Sequence, residues 1–459
     1  MSIGWGELPH LPLRCVLDHL STKDALAATS TCKHWRSALF MYEGHKETLK
    51  LRVDDLEKSI FVTRLFKKHT KRIHVYINTT GPEFQSFKNY VLPQLFDTRT
   101  LTELVFIGPN YLHENRNFPS AKLDRIMMES LILKHKQSLQ ILNLMGCRLR
   151  STRNFSDDFS HEPVEYCSDR VSFNSVPSPA DAVLSSANVN LMITSSLRHV
   201  AFEYETIRMA ALQTLLELPH LDSIALTIGP KNNKALQRLD WCKELNHLNV
   251  SVNIIGVRKG RFEEIIENVL VQGLRLTSLK VMFCQTLFGP LVDHVINSYS
   301  STLKEFVWAD APCDTFEPKN RTVKPSLDTE YGMCHVNPLI LMCWQCGNLR
   351  RLVIHGYWVW QYDVVGFVRL RTTLMEMEIS AILHQENQNQ VKEGKDCVSR
   401  VFGSDHVKPI RPQLVKQINE FTTFDWSPCV WKELHPALRM YATSEQRADY
   451  IVTEVNRAL

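Results

Sequence analysis

Along most of the chain, apolar residues recur in the pattern Leu-x-x-apolar-x-apolar. Matches lie at Leu101-Leu104-Phe106, Leu139-Leu142-Leu144, Leu197-Val200-Phe202, Leu221-Ile224-Leu226 and Leu245-Leu248-Val250. Others follow at Leu276-Leu279-Val281, Leu303-Phe306-Trp308, Leu349-Leu352-Ile354 and Leu374-Met377-Ile379. The alternation within each match predicts a short strand whose anchors point inward and whose intervening residues take the opposite face. Starting positions step by 38, 58, 24, 24, 31, 27, 46 and 25 residues, which leaves room for a returning helix in each gap and for insertions in the long ones. One such helix is predicted where Leu291, Val292, Val295 and Ile296 share a face. The expected class is α/β, built from strand–helix units stacked in series.

The first forty residues follow a different period. Leu13, Val16, Leu17 and Leu20 stand at i, i+3, i+4 and i+7, one stripe of an amphipathic helix. Pro9 suits the start of that helix, and Pro12 falls in its first turn, where a missing N–H costs little. Ser21 with Asp24 resembles a capping box and predicts a second helix through Ala25, Leu26, Ala27 and Ala28. A third carries Cys32, Trp35 and Leu39. Three short helices enclose little core of their own, so part of their apolar surface needs a partner.

Leu8-Pro9, the apolar helix ending at Leu20, Asp24 and the closing Cys32-Lys33-His34-Trp35 follow one another without a gap. In that order and spacing the segment resembles the F-box family. It departs from the family pattern at Pro12, Ala25, Ala28 and Thr31. The downstream array has four gaps within the period of about 20–29 residues usual for leucine-rich repeats, and it resembles them. Cys242-x-x-Leu245, Cys346-x-x-Leu349, Leu144-x-x-Cys147 and Val281-x-x-Cys284 match the cysteine-bearing repeats common in F-box proteins. Val353–Trp360, followed by Arg369-Leu370-Arg371, is similar to a repeat in one member of that family.

These resemblances imply an N-terminal three-helix F-box over 1–45 and an irregular leucine-rich-repeat solenoid, an α/β horseshoe, over 46–383. Loop insertions are expected at 151–190 and 310–335, a further loop at 384–412, and a helical C-terminal cap over 413–459. The family implies a substrate-recognition subunit of an SCF (adaptor–cullin–F-box) ubiquitin ligase. Leu8, Pro9, Leu13, Val16, Leu17, Leu20, Leu26, Cys32 and Trp35 would dock on the Skp-type adaptor, which brings the cullin scaffold and RING subunit indirectly. A scaffold whose repeats bind partners without any ligase is the alternative from another class.

Composition narrows the rest. The 459 residues are 44% hydrophobic and 22% charged, ordinary globular values. The longest apolar run, Leu339 to Trp344, is far short of the roughly 20 residues that span a bilayer. Glu7, Pro9 and Pro12 occupy the place of a signal peptide's apolar stretch, so the 12 cysteines are read as reduced thiols of a cytoplasmic or nuclear protein. No P-loop, G-x-G-x-x-G, G-x-S-x-G or H-E-x-x-H occurs, and neither an enzyme nor a cofactor is expected. Cys343-x-x-Cys346, with Cys334-His335 nearby, has the look of zinc ligands, but Cys346 already has a repeat position, so core thiols are the reading preferred.

Arg64, Lys67, Lys68, Lys71 and Arg72 form the densest basic run, read as the solvated end of a helix anchored by Ile60, Leu65 and Phe66. A third reading makes that run a nucleic-acid contact. Among the strand positions expected to face solvent, Glu103, Glu203, Glu305, Glu376 and Glu378 oppose Lys280 and Arg351, so that face is not suited to phosphates and nucleic acid is not expected. Substrate is expected at Arg351, His355, Tyr357, Trp358 and Trp360, because arginine and aromatic side chains dominate binding hot spots.

Overall fold

The computed structural model describes residues 4–457 except 5, 7, 21–23, 25–26, 29, 42–46, 69, 113–119, 151–195, 207–217, 219, 231–235, 240, 242–247, 312–319, 322–336, 386–397, 402–411, 430–432 and 440. The insertion expected at 151–190 therefore lies outside the described residues, as do most of those at 310–335 and 384–412. The described chain is mixed α/β and divides into two compact units. One comprises Met1–Pro109, Pro119–Pro177 and Ala182–Leu197; the other comprises Asn110–Phe118, Ser178–Asp181 and Arg198–Leu459.

The first unit begins with helices His10–Asp18 and Lys33–Met41, which pack on each other. Four strands of its main sheet follow, β1 (Thr48–Arg52), β2 (Arg72–Tyr76), β3 (Glu103–Ile107) and β4 (Ile141–Met145), while Ala121–Asp124 and Cys147–Arg150 pair separately in parallel. Each main-sheet strand runs parallel to the next, so every connection crosses back over the sheet. Helices Leu56–Phe66, Pro82–Tyr90 and Arg125–Lys134 lie within those connections.

Strands β1 and β2 precede the first repeat read from the sequence. Their alternation is present in Leu49-Leu51-Val53 and Ile73-Val75-Ile77, all buried. The leading leucine is what β2 lacks. Three residues before Ile73 stands Thr70, whose hydroxyl donates to Phe66 O at 3.0 Å and so satisfies itself in a buried position.

The second unit holds seven parallel strands: β5 (His199–Glu203), β6 (Ser223–Ile228), β7 (Asn249–Ile255), β8 (Leu276–Met282), β9 (Glu305–Ala309), β10 (Arg351–His355) and β11 (Glu376–Ile379). Each of the nine sequence matches thus supplies a strand in one unit or the other. The anchors Leu279, Val281, Phe306, Trp308, Leu352 and Ile354 are all buried, worth roughly 1.5–3 kcal/mol apiece for the aliphatic ones. They meet helices Phe262–Asn268, Gly289–Tyr299, Pro338–Gln345 and Gln361–Leu370, as where the Phe262 and Trp308 rings stack at 6.2 Å. A smaller sheet joins Tyr357–Trp360 in parallel to Asn320–Arg321 and to Ile382–Gln385, which pairs antiparallel with Val398–Val401.

Where the chain leaves a strand, it turns through left-handed backbone. Gly256 after β7 and Gly356 after β10 have φ of 63° and 81°. The same position after β8 is Phe283, at φ 56°. A side chain there costs about 1–2 kcal/mol. Its ring is used elsewhere: Tyr450 packs edge-on at 5.9 Å and the Arg447 guanidinium lies 4.5 Å from its centroid.

Candidate functional site

Two places concentrate the residues singled out by sequence. At the N-terminal helices, Pro9 is exposed, and Leu8, Val16, Leu20, Cys32 and Trp35 are half-buried. His34 Nε2 lies 2.7 Å from Leu8 O, which ties the helix Lys33–Met41 to the Leu-Pro entry of the first. The Trp35 N–H donates to Cys32 Sγ at 3.4 Å, a side-chain cap on that helix's first turn. Leu26 lies outside the described residues.

Leu13 and Leu17 are fully buried together with Ala38. They hold the helices to each other and present nothing outward, so their expected place in a partner contact is corrected. Leu11, by contrast, is 76% exposed. It falls off the Leu13/Leu17 stripe, roughly 200° around the helix from Leu13 at 100° per residue, which is why a periodicity search passes over it.

The second place is the face of β8–β11 opposite the anchors. Ser278, Glu305, Arg351 and Glu376 stand in register across four adjacent strands. They form a continuous ladder. Ser278 Oγ lies 2.6 Å from Glu305 Oε2, Arg351 Nη1 lies 2.6 Å from Glu305 Oε1, and Arg351 Nε lies 2.9 Å from Glu376 Oε1. Lys280 Nζ joins from two residues along β8, 3.0 Å from Glu305 Oε2.

The C-terminal helix Ser444–Asn456 closes this face. Its Glu454 carboxylate receives both Arg351 Nη groups, at 2.7 and 3.0 Å, and lies 3.8 Å from Lys280. Lys280 also donates to the backbone carbonyls of Glu454 and Arg457, and Arg457 returns an ion pair to Glu376. Burial works against charge on Glu305, yet Lys280, Arg351 and Ser278 hold its carboxyl below the usual glutamate range.

The segment before that helix covers the last strand. Trp426 is buried and its indole N–H donates to Met377 O at 3.0 Å, while the Cys429 N–H donates to Ile379 O at 3.2 Å. The sequence predicts a helical cap over 413–459; within it, the helix Ser444–Asn456 overlies the flank of β8–β11.

This closure corrects the expected substrate contacts. Arg351 is 2% exposed, and Val353, His355, Tyr357 and Trp358 are buried as well; Trp360 is half-buried. Tyr357 donates its hydroxyl to Asp310, and His355 Nε2 lies 3.0 Å from Glu378 Oε2. Glu103, Glu203, Glu305 and Lys280, read as solvent-facing strand positions, are buried too. Alternation assigns a face correctly but does not say whether water reaches it.

A pH dependence follows from Glu378. The hydrogen bond from His355 draws its carboxyl down from 4.5 to about 2. A depressed carboxyl stabilises the fold fully above its unfolded value, and that contribution fades as pH falls from 4.5 towards about 2. Amide protection factors of β10 and β11, taken relative to the intrinsic exchange rate at each pH, are expected to fall across that window and to fall less in Glu378→Gln; identical profiles would refute the linkage.

The basic run is less available than its sequence suggests. Lys67 pairs with Asp97, while Lys71 and Arg72 reach Glu47 at 3.1 and 3.4 Å. Arg64 and Lys68 are exposed, His69 lies outside the described residues, and the helix is anchored by Val62, Thr63 and Phe66 rather than by Ile60 and Leu65. Cys343 and Cys346 are core thiols, with burial raising both, Cys346 to about 11. Among the described residues no cluster of three or more His, Cys, Asp or Glu side chains is placed to hold a metal ion, and no helix is long and apolar enough to cross a membrane.

Comparison with known proteins bears on the first of the two places. The F-box domain family matches residues 5–43. F-box only protein 33 of Homo sapiens and of Mus musculus are each 31% identical to this chain over 83 residues. That match covers 18% of this chain and 13% of the relative, so it spans about an eighth of the curated relatives' length.

Proposed function

We propose that this chain, with an F-box domain at residues 5–43, is a substrate-recognition subunit of an SCF-type ubiquitin ligase. The observation that carries the reading is the domain itself, whose described helices leave Leu11 and Pro9 exposed and Trp35 partly so. A Skp-type adaptor docks there, and a cullin and RING subunit join through it. The strand–helix units are, on this reading, irregular leucine-rich repeats that form an α/β solenoid and present the substrate. Supporting that are nine strands at Leu-x-x-apolar-x-apolar signatures and the buried thiols of Cys147, Cys284 and Cys346. The protein would work in the cytoplasm or nucleus.

The receptor itself makes and breaks no bond. It holds a substrate lysine near a thioester carried by another subunit, so its contribution is effective concentration and orientation. Residues buried in the β8–β11 ladder are assigned to holding the C-terminal helix, and substrate capture belongs to surfaces that remain open.

Affinity purification from cells tests the adaptor contact. Ala at Leu8, Pro9 and Trp35 together is expected to abolish adaptor recovery, since truncated hot-spot anchors each cost about 2 kcal/mol or more. Leu11→Asp is the cleaner variant, because its side chain contributes little to the fold and is placed to meet a partner. Full adaptor recovery with both variants would refute the site. Absence of adaptor and cullin from the wild-type purification would favour a scaffold without ligase function.

A further inference from the structure

In the second unit, the ends of helices Gly289–Tyr299, Pro338–Gln345 and Gln361–Leu370 turn into β9, β10 and β11 through segments 299–304, 344–350 and 369–375. These three segments contain Lys304, Arg350, Arg369 and Arg371 and no aspartate or glutamate. They also hold three of the large apolar side chains that stay in water: Trp344 at 62% exposure, Met375 at 64% and Leu370 at 40%. Tryptophan, methionine and arginine are the residue types enriched at interface centres.

The rim is fixed in shape. Arg371 donates to Cys343 O at 2.8 Å, Trp344 O at 2.8 Å and Gly347 O at 3.1 Å, stitching one turn to its neighbour. The Met375 N–H donates to Arg350 O and the Arg350 N–H to Lys304 O, both at 2.8 Å. Asn348 Nδ2 donates to Ser301 O at 2.6 Å. Arg369 is stacked 4.9 Å from the Phe421 centroid and is engaged there. Lys304, Arg350 and Arg371 remain as three cations with no carboxylate in the rim to offset them, beside an indole and a thioether. Fixing the backbone that carries those groups beforehand lowers the ordering cost of binding.

We propose that this rim is a docking surface for a protein segment rich in carboxylates with an apolar side chain at its centre. The carboxylates would meet Lys304, Arg350 and the outer edge of Arg371, and the apolar group would lie against Trp344 and Met375. Charge complementarity selects the partner and steers its approach; the indole and thioether supply desolvated contact area. The proposal rests on the substrate-receptor reading for the partner's role as client, but not for binding itself.

The test uses the purified full chain and a short fluorescein-labelled peptide of Glu and Asp around a central Leu-Leu pair, followed by fluorescence anisotropy. Lys304→Glu with Arg350→Glu is expected to weaken the peptide at least about tenfold, and Trp344→Ala by roughly the same factor. Trp344 and Arg350 are exposed and Lys304 is half-buried, and an unchanged melting temperature confirms that the variants are folded. No binding by the wild-type chain, an affinity unmoved by either variant, or equally tight binding of oligothymidylate would overturn the proposal. Peptide binding alongside failed adaptor recovery would sink the ligase reading and leave the rim standing; the reverse result would sink the rim alone.

Discussion

Arg351→Ala is expected to destabilise the second unit by about 3–5 kcal/mol, the usual penalty for removing one partner from a buried ion pair. The cause is what the substitution leaves behind. Glu305 and Glu454 would remain buried with their carboxylates facing each other and Lys280 as the remaining nearby cation. Glu454→Ala should cost less than Arg351→Ala, because Arg351 keeps Glu305 and Glu376. The double variant should lose less than the two single losses combined, with a coupling of roughly 1–3 kcal/mol. Denaturant unfolding measures all three, and amide exchange over 444–456 shows whether the helix leaves first. A loss under about 1 kcal/mol for Arg351→Ala would mean that water reaches the ladder.

Gly356→Ala is the second large effect. A Cβ at that position would lie 2.4 Å from Asp310 O, and the backbone has φ of 81°. Left-handed backbone costs a side-chain-bearing residue about 1–2 kcal/mol, and overpacking adds about 1–3 kcal/mol. Asp310 does not yield easily, because its side chain is held by the Gln285 N–H at 2.9 Å and by the Tyr357 hydroxyl. A loss of roughly 2–5 kcal/mol is expected from denaturant unfolding. Near-neutral behaviour would show that the turn after β10 relaxes. Phe283→Gly offers the contrast: it relieves the backbone while removing the ring that Tyr450 and Arg447 meet, so its net cost should be smaller than that of Gly356→Ala.

The strand anchors were legible because a buried parallel strand between helices needs a repeating apolar signature, and nine were found from Leu101 onward. Strand β2 escaped because Thr70, its hydroxyl bonded to Phe66 O, stands in place of the leading leucine, and β1 because Lys46 stands there. The alternation assigns Glu203, Lys280, Glu305, Arg351, Glu376 and Glu378 to one face of the second unit's strands, which is where they lie. Their exposure was misjudged, because a cover supplied from far along the chain leaves no local mark on a strand. Its trace is in the C-terminal helix, where Arg447, Tyr450, Glu454 and Arg457 recur at steps of three and four. That stripe mixes charge with an aromatic, so it reads as amphipathic edge rather than as a buried surface. Leu11 shows the complementary limit: a lone apolar residue outside the stripe acquires meaning once its exposure and the F-box match are set side by side.

The bond from Lys280 to the carbonyl of Glu454 joins positions 174 residues apart. During synthesis, β8 leaves the ribosome long before the residues that neutralise and dehydrate its lysine. At about 5–20 residues per second, that interval lasts on the order of ten seconds or more. Until residues 444–457 emerge, Lys280, Glu305 and Arg351 have only water, one another and the strand residues Ser278 and Glu376, and the flank of β8–β11 stays wet. Units that otherwise could settle in the order they emerge must wait for residues 444–457 before the last of them becomes native. A stop codon or a frameshift ahead of Ser444 would leave most of the strands encoded but no means of closing them, and such a product should be a client for chaperones and proteases rather than a smaller folded protein.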